Sequence, residues 1–108
     1  MKITNESKAV LYEMYNYYSM QRKCGKSKRE AVYFGSAHKI RENLFPELLL
    51  EDVEDALIEL KRNGFISGQL CDNSIECCAL TDSAIVSVER LPANALSTLC
   101  KFLSLFMP

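Results

Sequence analysis

Leu50, Val53, Leu57 and Leu60 step along the chain by threes and fours, the spacing of one buried helix face. Leu49 and Ala56 lie beside that stripe. Asn63-Gly64 ends it after Lys61 and Arg62, cations that suit the negative end of a helix dipole. An earlier stripe, Leu11, Met14, Tyr15 and Tyr18, with Val10 and Tyr17 at its flanks, predicts a first helix. That helix runs from a cap at Asn5 or Ser7 to about Lys23, and Cys24-Gly25 closes it. Between the two stripes the pattern breaks up. Lys26-Ser27-Lys28-Arg29 reads as a polar loop, and Ala31-Val32-Tyr33-Phe34 as a short strand ended by Gly35. Ser36 can cap a second helix over 37–44, with Ile40 and Leu44 facing inward, and Pro46 stops it.

After Gly64 the period changes to two. With Asp72-Asn73 as a two-residue turn, Ile66, Gly68, Leu70, Ile75, Cys77 and Ala79 share one face of a hairpin. Ser67, Gln69, Cys71, Ser74, Glu76 and Cys78 share the other. Thr81 then caps a fourth helix from Asp82 to about Arg90, and Pro92 breaks it. A last helix from Ala93 carries Leu96, Leu99, Phe102, Leu103 and Phe106, with Lys101 as its only charge. The expected fold class is α+β, mainly α, in one domain. Residues 1–91 form its body and residues 92–108 an apolar C-terminal helix.

The order helix, short strand, helix, helix, hairpin, helix resembles that of the winged helix-turn-helix family, over residues 8–90. Val53-x3-Leu57-x2-Leu60-x3-Gly64-Phe65-Ile66 is similar to the family's recognition helix running into its first wing strand. Leu80-Thr81-Asp82-Ser83-Ala84 is similar to the Leu-Thr-x-x-Gly that ends the second wing strand, with Ala84 in the place of the glycine. The resemblance implies a third helix that enters the DNA major groove and a wing that touches the backbone or minor groove. It also implies dimerisation through a C-terminal helix. The surplus of apolar residues after Pro92 leaves three possibilities: packing on the first helix, pairing in a homodimer, or docking on another protein. The homodimer is preferred, with Leu96, Leu99, Phe102, Leu103 and Phe106 at the interface.

Charge complicates the DNA expectation. The net charge of −1 conceals a basic half and an acidic half. Residues 1–46 carry nine Lys or Arg against four Glu, and residues 47–108 carry four against ten Asp or Glu. On the third helix, Glu51, Asp52, Glu54, Asp55 and Glu59 all lie off the apolar stripe, where a phosphate backbone would be repelled. No Lys or Arg occurs between Arg62 and Arg90, so the hairpin has no cation. The basic material is elsewhere: Arg22, Lys23, Lys26, Lys28 and Arg29 around the end of the first helix, and Lys39 and Arg41 on the second. These seven are the candidate nucleic-acid contacts, and the five acids are the candidate contact face for a basic protein. A homodimeric DNA-binding regulator is ranked slightly ahead of a protein-interaction module.

Other chemistry is weaker. Cys24, Cys71, Cys77, Cys78 and Cys100 are scattered, with no Cys-x-x-Cys pair and one histidine, His38, so they read as packing thiols and not as a metal or disulfide set. Tyr12, Tyr15, Tyr17 and Tyr18 could stack on bases, but read first as burying or shielding the first helix. No nucleophile with a base, paired carboxylates or phosphate-cradling glycine loop is evident, so neither catalysis nor a cofactor is expected. No apolar run reaches the ~18 residues of a membrane span and the N-terminus lacks a signal-peptide core, which together predict a cytoplasmic protein.

Overall fold

The structure is a computed structural model and describes residues 3–71 and 74–91. Eight elements follow one another: α1 (Asn5–Lys23), α2 (Lys28–Ala31), β1 (Tyr33–Gly35), α3 (Ala37–Leu44), α4 (Leu50–Arg62), β2 (Ile66–Cys71), β3 (Ser74–Leu80) and α5 (Asp82–Glu89). The fold is α+β and mainly helical, with one antiparallel sheet in the order β1-β3-β2. The Asp72-Asn73 turn and the apolar residues Leu96, Leu99, Phe102, Leu103 and Phe106 lie outside the described residues.

Thr4, and neither Asn5 nor Ser7, caps α1. Its side-chain oxygen accepts the Ser7 N–H at 3.2 Å, and its carbonyl accepts the Lys8 N–H at 3.0 Å. The helix therefore starts one residue early and carries Ser7 into the interior. Leu11, Met14 and Tyr18 are buried as their spacing requires. Tyr12 joins them at 3% exposed, while Tyr15 is only half-buried. The expected loop at 26–29 is partly a single helical turn. The Ser27 hydroxyl accepts the Glu30 N–H at 3.3 Å, and Ala31 turns into the core. Ser27-x-x-Glu30 is the sequence form of a capping box. With Ala31 in that turn, β1 begins two residues later than the expected strand.

Ser36 caps α3 through the Lys39 N–H at 3.3 Å, over the expected span. Phe45 follows it into the core, fully buried. α4 buries Val53, Ala56, Leu57 and Leu60, whereas Leu49, expected beside the stripe, is the helix cap residue and is 68% exposed. Thr81 joins the end of α4 to the start of α5. Its hydroxyl donates to the Gly64 carbonyl at 2.7 Å and accepts the Ala84 N–H at 3.2 Å.

The hairpin departs from the expected faces. Next to the turn the pairs Cys71↔Ser74, Leu70↔Ile75 and Gln69↔Glu76 keep the expected register, but beyond them the pairs are Ser67↔Ala79 and Ile66↔Leu80. The one-residue slip is a bulge at Cys77, whose φ of 56° is in the left-handed region. Beyond the bulge the faces exchange, so Cys78 and Leu80 are buried with Ile75, and Cys77 points to solvent. Leu70, also expected inside, is 53% exposed. Gly68 belongs to the same distortion, because a Cβ there would stand 2.9 Å from the Glu76 carbonyl oxygen.

Candidate interaction surfaces

Every residue from Arg22 to Glu30 is exposed, so the end of α1, its loop and α2 form one basic corner. Within it, Lys28 reaches Asp82 at the start of α5 with an Nζ–Oδ1 distance of 2.7 Å. That hydrogen bond, with the attraction of the carboxylate, raises the Lys28 pKa. Arg22 Nη1 donates to the Lys26 carbonyl at 3.2 Å, which fixes its direction without neutralising it. Lys23, Lys26 and Arg29 have no ion-pair partner among the described residues. Of the two candidates on α3, Arg41 is half-buried and its Nε donates to the Leu48 carbonyl at 3.0 Å, holding the connection to α4. Lys39 is exposed and stands apart, beside the aromatic residues of β1.

The acidic helix is divided in its roles. Glu51, Asp52 and Asp55 are exposed and Glu54 is half-buried. Glu59 turns to the start of α1, where its Oε1 accepts the Thr4 N–H at 2.6 Å. This backbone hydrogen bond holds its carboxyl below the usual carboxylate range, with smaller help from nearby hydroxyls and Arg62. The position also suits the positive end of the α1 dipole. A cavity of about 150 Å³ beside this contact is lined by Thr4, Glu6 and Ser7 of the α1 start and by Asp55, Ala56 and Glu59 of α4.

A second cavity, of about 70 Å³, opens between α1, β1 and α3. Tyr17, Tyr33 and Phe34 give it aromatic walls, Lys39 and Asn43 give it polar edges, and Ile40 and Leu44 lie behind. The Tyr17 and Phe34 rings pack with centroids 5.6 Å apart, tilted by 52°. Gly35 makes the turn from β1 into α3 at φ +86°, and a Cβ there would lie 3.4 Å from Lys39 Cδ and 4.0 Å from Tyr33 Cε1. The lysine stem and the tyrosine ring thus flank the same glycine. Tyr33 and Asn43 were not among the sequence-derived candidates. Asn43 had a signal in its i, i+4 step from Lys39. Tyr33 had none, since strand alternation sets it on the face opposite Phe34 and gives no sign that both line one cleft.

The thiols among the described residues divide by exposure. Cys24, Cys71 and Cys77 are exposed and free, against the expectation of packing thiols, and Cys78 is buried. Cys100 lies outside those residues. Burial pushes the Cys78 thiol up to about 12. Contact with Cys77 raises the Tyr33 phenol. Among the described residues no three His, Cys, Asp or Glu side chains come together as a metal site, and no helix is long and apolar enough to cross a membrane. Compared with known proteins, the chain matches no family model, no curated protein and no solved structure.

Proposed function

We propose that this chain is a winged-helix binding protein that holds a nucleic-acid backbone against its basic corner and not on its third long helix. The order α1, β1, α3, α4, β2, β3, α5, with β1 beside β3, supports the winged-helix reading. One observation carries the nucleic-acid reading. Arg22, Lys23, Lys26 and Arg29 are exposed together, and none of them is in an ion pair among the described residues. Phosphates gain most from cations that no carboxylate already neutralises. Lys28, paired with Asp82, contributes less. The test is binding of a random-sequence duplex at low salt, for the natural chain and for a Lys23→Glu, Lys26→Glu, Arg29→Glu variant. Loss of binding in the variant supports the corner, and equal binding removes it.

A second reading is a protein-interaction module that presents α4 to a basic partner. It is favoured by the exposure of Glu51, Asp52 and Asp55 beside a hairpin that has no Lys or Arg. The substitutions Glu51→Gln and Asp55→Asn discriminate. They strengthen duplex binding if α4 only repels the backbone, and they weaken capture of a basic protein if α4 is its contact face.

A further inference from the structure

The cleft between α1, β1 and α3 lies outside the basic corner, and its chemistry is of another kind. Tyr33 is 56% exposed and Tyr17 36%, although rings of this size are usually covered. Neither is loose: Phe34 braces the Tyr17 ring, and β1 pairing sets Tyr33 opposite Ala79. The Lys39 stem and the Tyr33 ring both lie near Gly35, which turns the chain from β1 into α3. One helical turn on, Asn43 is exposed and offers a carboxamide with two donors and an acceptor.

An open aromatic face, a cation and a carboxamide match the three parts of a nucleotide: the base plane, the phosphate and the hydrogen-bonding edge. An apolar protein side chain would use only the first. At about 70 Å³ the cleft does not enclose a base, so the base lies against it as a stacked plane. Lys23, at the edge of the basic corner, is six residues beyond Tyr17 on α1, a rise of about 9 Å along the helix axis. We infer that this cleft is a stacking site for one unpaired nucleobase, with Lys39 meeting its phosphate and Asn43 its edge. The inference rests on the nucleic-acid reading above and adds single strands, or locally unpaired ones, to the ligands of the chain.

The probe is an end-labelled oligothymidine of about a dozen nucleotides, followed by fluorescence anisotropy beside a duplex of equal length. Tyr33→Leu is expected to weaken oligothymidine binding about tenfold, and Tyr33→Phe, which keeps the ring, to stay within about twofold. Lys39→Gln is expected to weaken it and to reduce the salt slope by about 0.7, the value for one contact on a single strand. Duplex binding stays unchanged in the Tyr33 variants. Because Tyr33 is exposed, each variant keeps the natural melting temperature, which circular dichroism verifies. Equal oligothymidine binding by Tyr33→Leu and the natural chain overturns the inference. So does duplex binding without oligothymidine binding, and in that case the basic corner stands. Binding of neither removes both readings. Tyr33-dependent capture of a polypeptide without oligothymidine binding overturns the inference in favour of a protein ligand.

Discussion

The carboxylate of Glu59 on α4 accepts the backbone N–H of Thr4, at 2.6 Å, where α1 begins. Helix N-termini leave amide groups unsatisfied, and here a side chain from 55 residues away supplies the acceptor. Glu59 therefore belongs to the fold more than to the acidic surface, and only the three outer acids, Glu51, Asp52 and Asp55, remain fully exposed on α4.

The pH dependence follows from the lowered Glu59 pKa. A carboxyl whose folded pKa is depressed stabilises the fold above its unfolded value and loses that contribution as pH falls through the folded one. Melting followed from about pH 6 to pH 3 should show an acid-side fall in Tm that is smaller in Glu59→Gln. At neutral pH the variant should melt a few degrees lower, roughly 2–5 °C. A variant with the same acid profile as the natural chain would contradict the assignment.

Two leucines eight residues apart make a contrast in burial. Leu57 is fully buried and Leu49 is 68% exposed. Leu57→Ala should cost about 2–5 kcal/mol in urea unfolding, and Leu49→Ala no more than ~0.5 kcal/mol. Similar losses at the two positions would mean that Leu49 is covered.

The bulge makes a chemical prediction. Cys24, Cys71 and Cys77 should react with a thiol reagent in the native protein, and Cys78 only after unfolding, as peptide mass spectrometry can read. Cys77→Gly should stabilise the fold by about 0.5–1 kcal/mol, since φ of 56° strains a residue with a side chain. Cys77→Val should destabilise it. Fast native labelling of Cys78 with protection of Cys77 would restore the unbulged register.

The exchange of Cys77 and Cys78 shows where sequence reading stops. Ile75, Cys77 and Ala79 alternate as well as Ile75, Cys78 and Leu80 do, apart from one slip. Two adjacent cysteines offer the same side chain to either face, so the pattern cannot locate the bulge. α3 was legible because Ser36, Ile40 and Pro46 agree on its cap, buried face and end. α2 left a signal in Ser27-x-x-Glu30, but four residues are too few for periodicity to speak. The basic corner was legible as a run of cations, and its division was not. That Lys28 meets Asp82, 54 positions on, depends on how α2 sits against α5. Tyr33 escaped notice because nothing in a three-residue strand sets one aromatic apart, and Lys39 and Asn43 come to line the same cleft only through the fold.

The central claim is that the basic corner holds a nucleic-acid backbone, and the salt dependence of duplex binding tests it most directly. Anisotropy titrations of a random-sequence duplex, from about 50 to 200 mM salt, give the slope of log K against log salt. With four unpaired cations in contact the slope should be about −3 to −4, and the Lys23→Glu, Lys26→Glu, Arg29→Glu variant should show no binding. No binding by the natural chain at about 50 mM salt and micromolar protein would contradict the account, as would an unchanged slope in the variant.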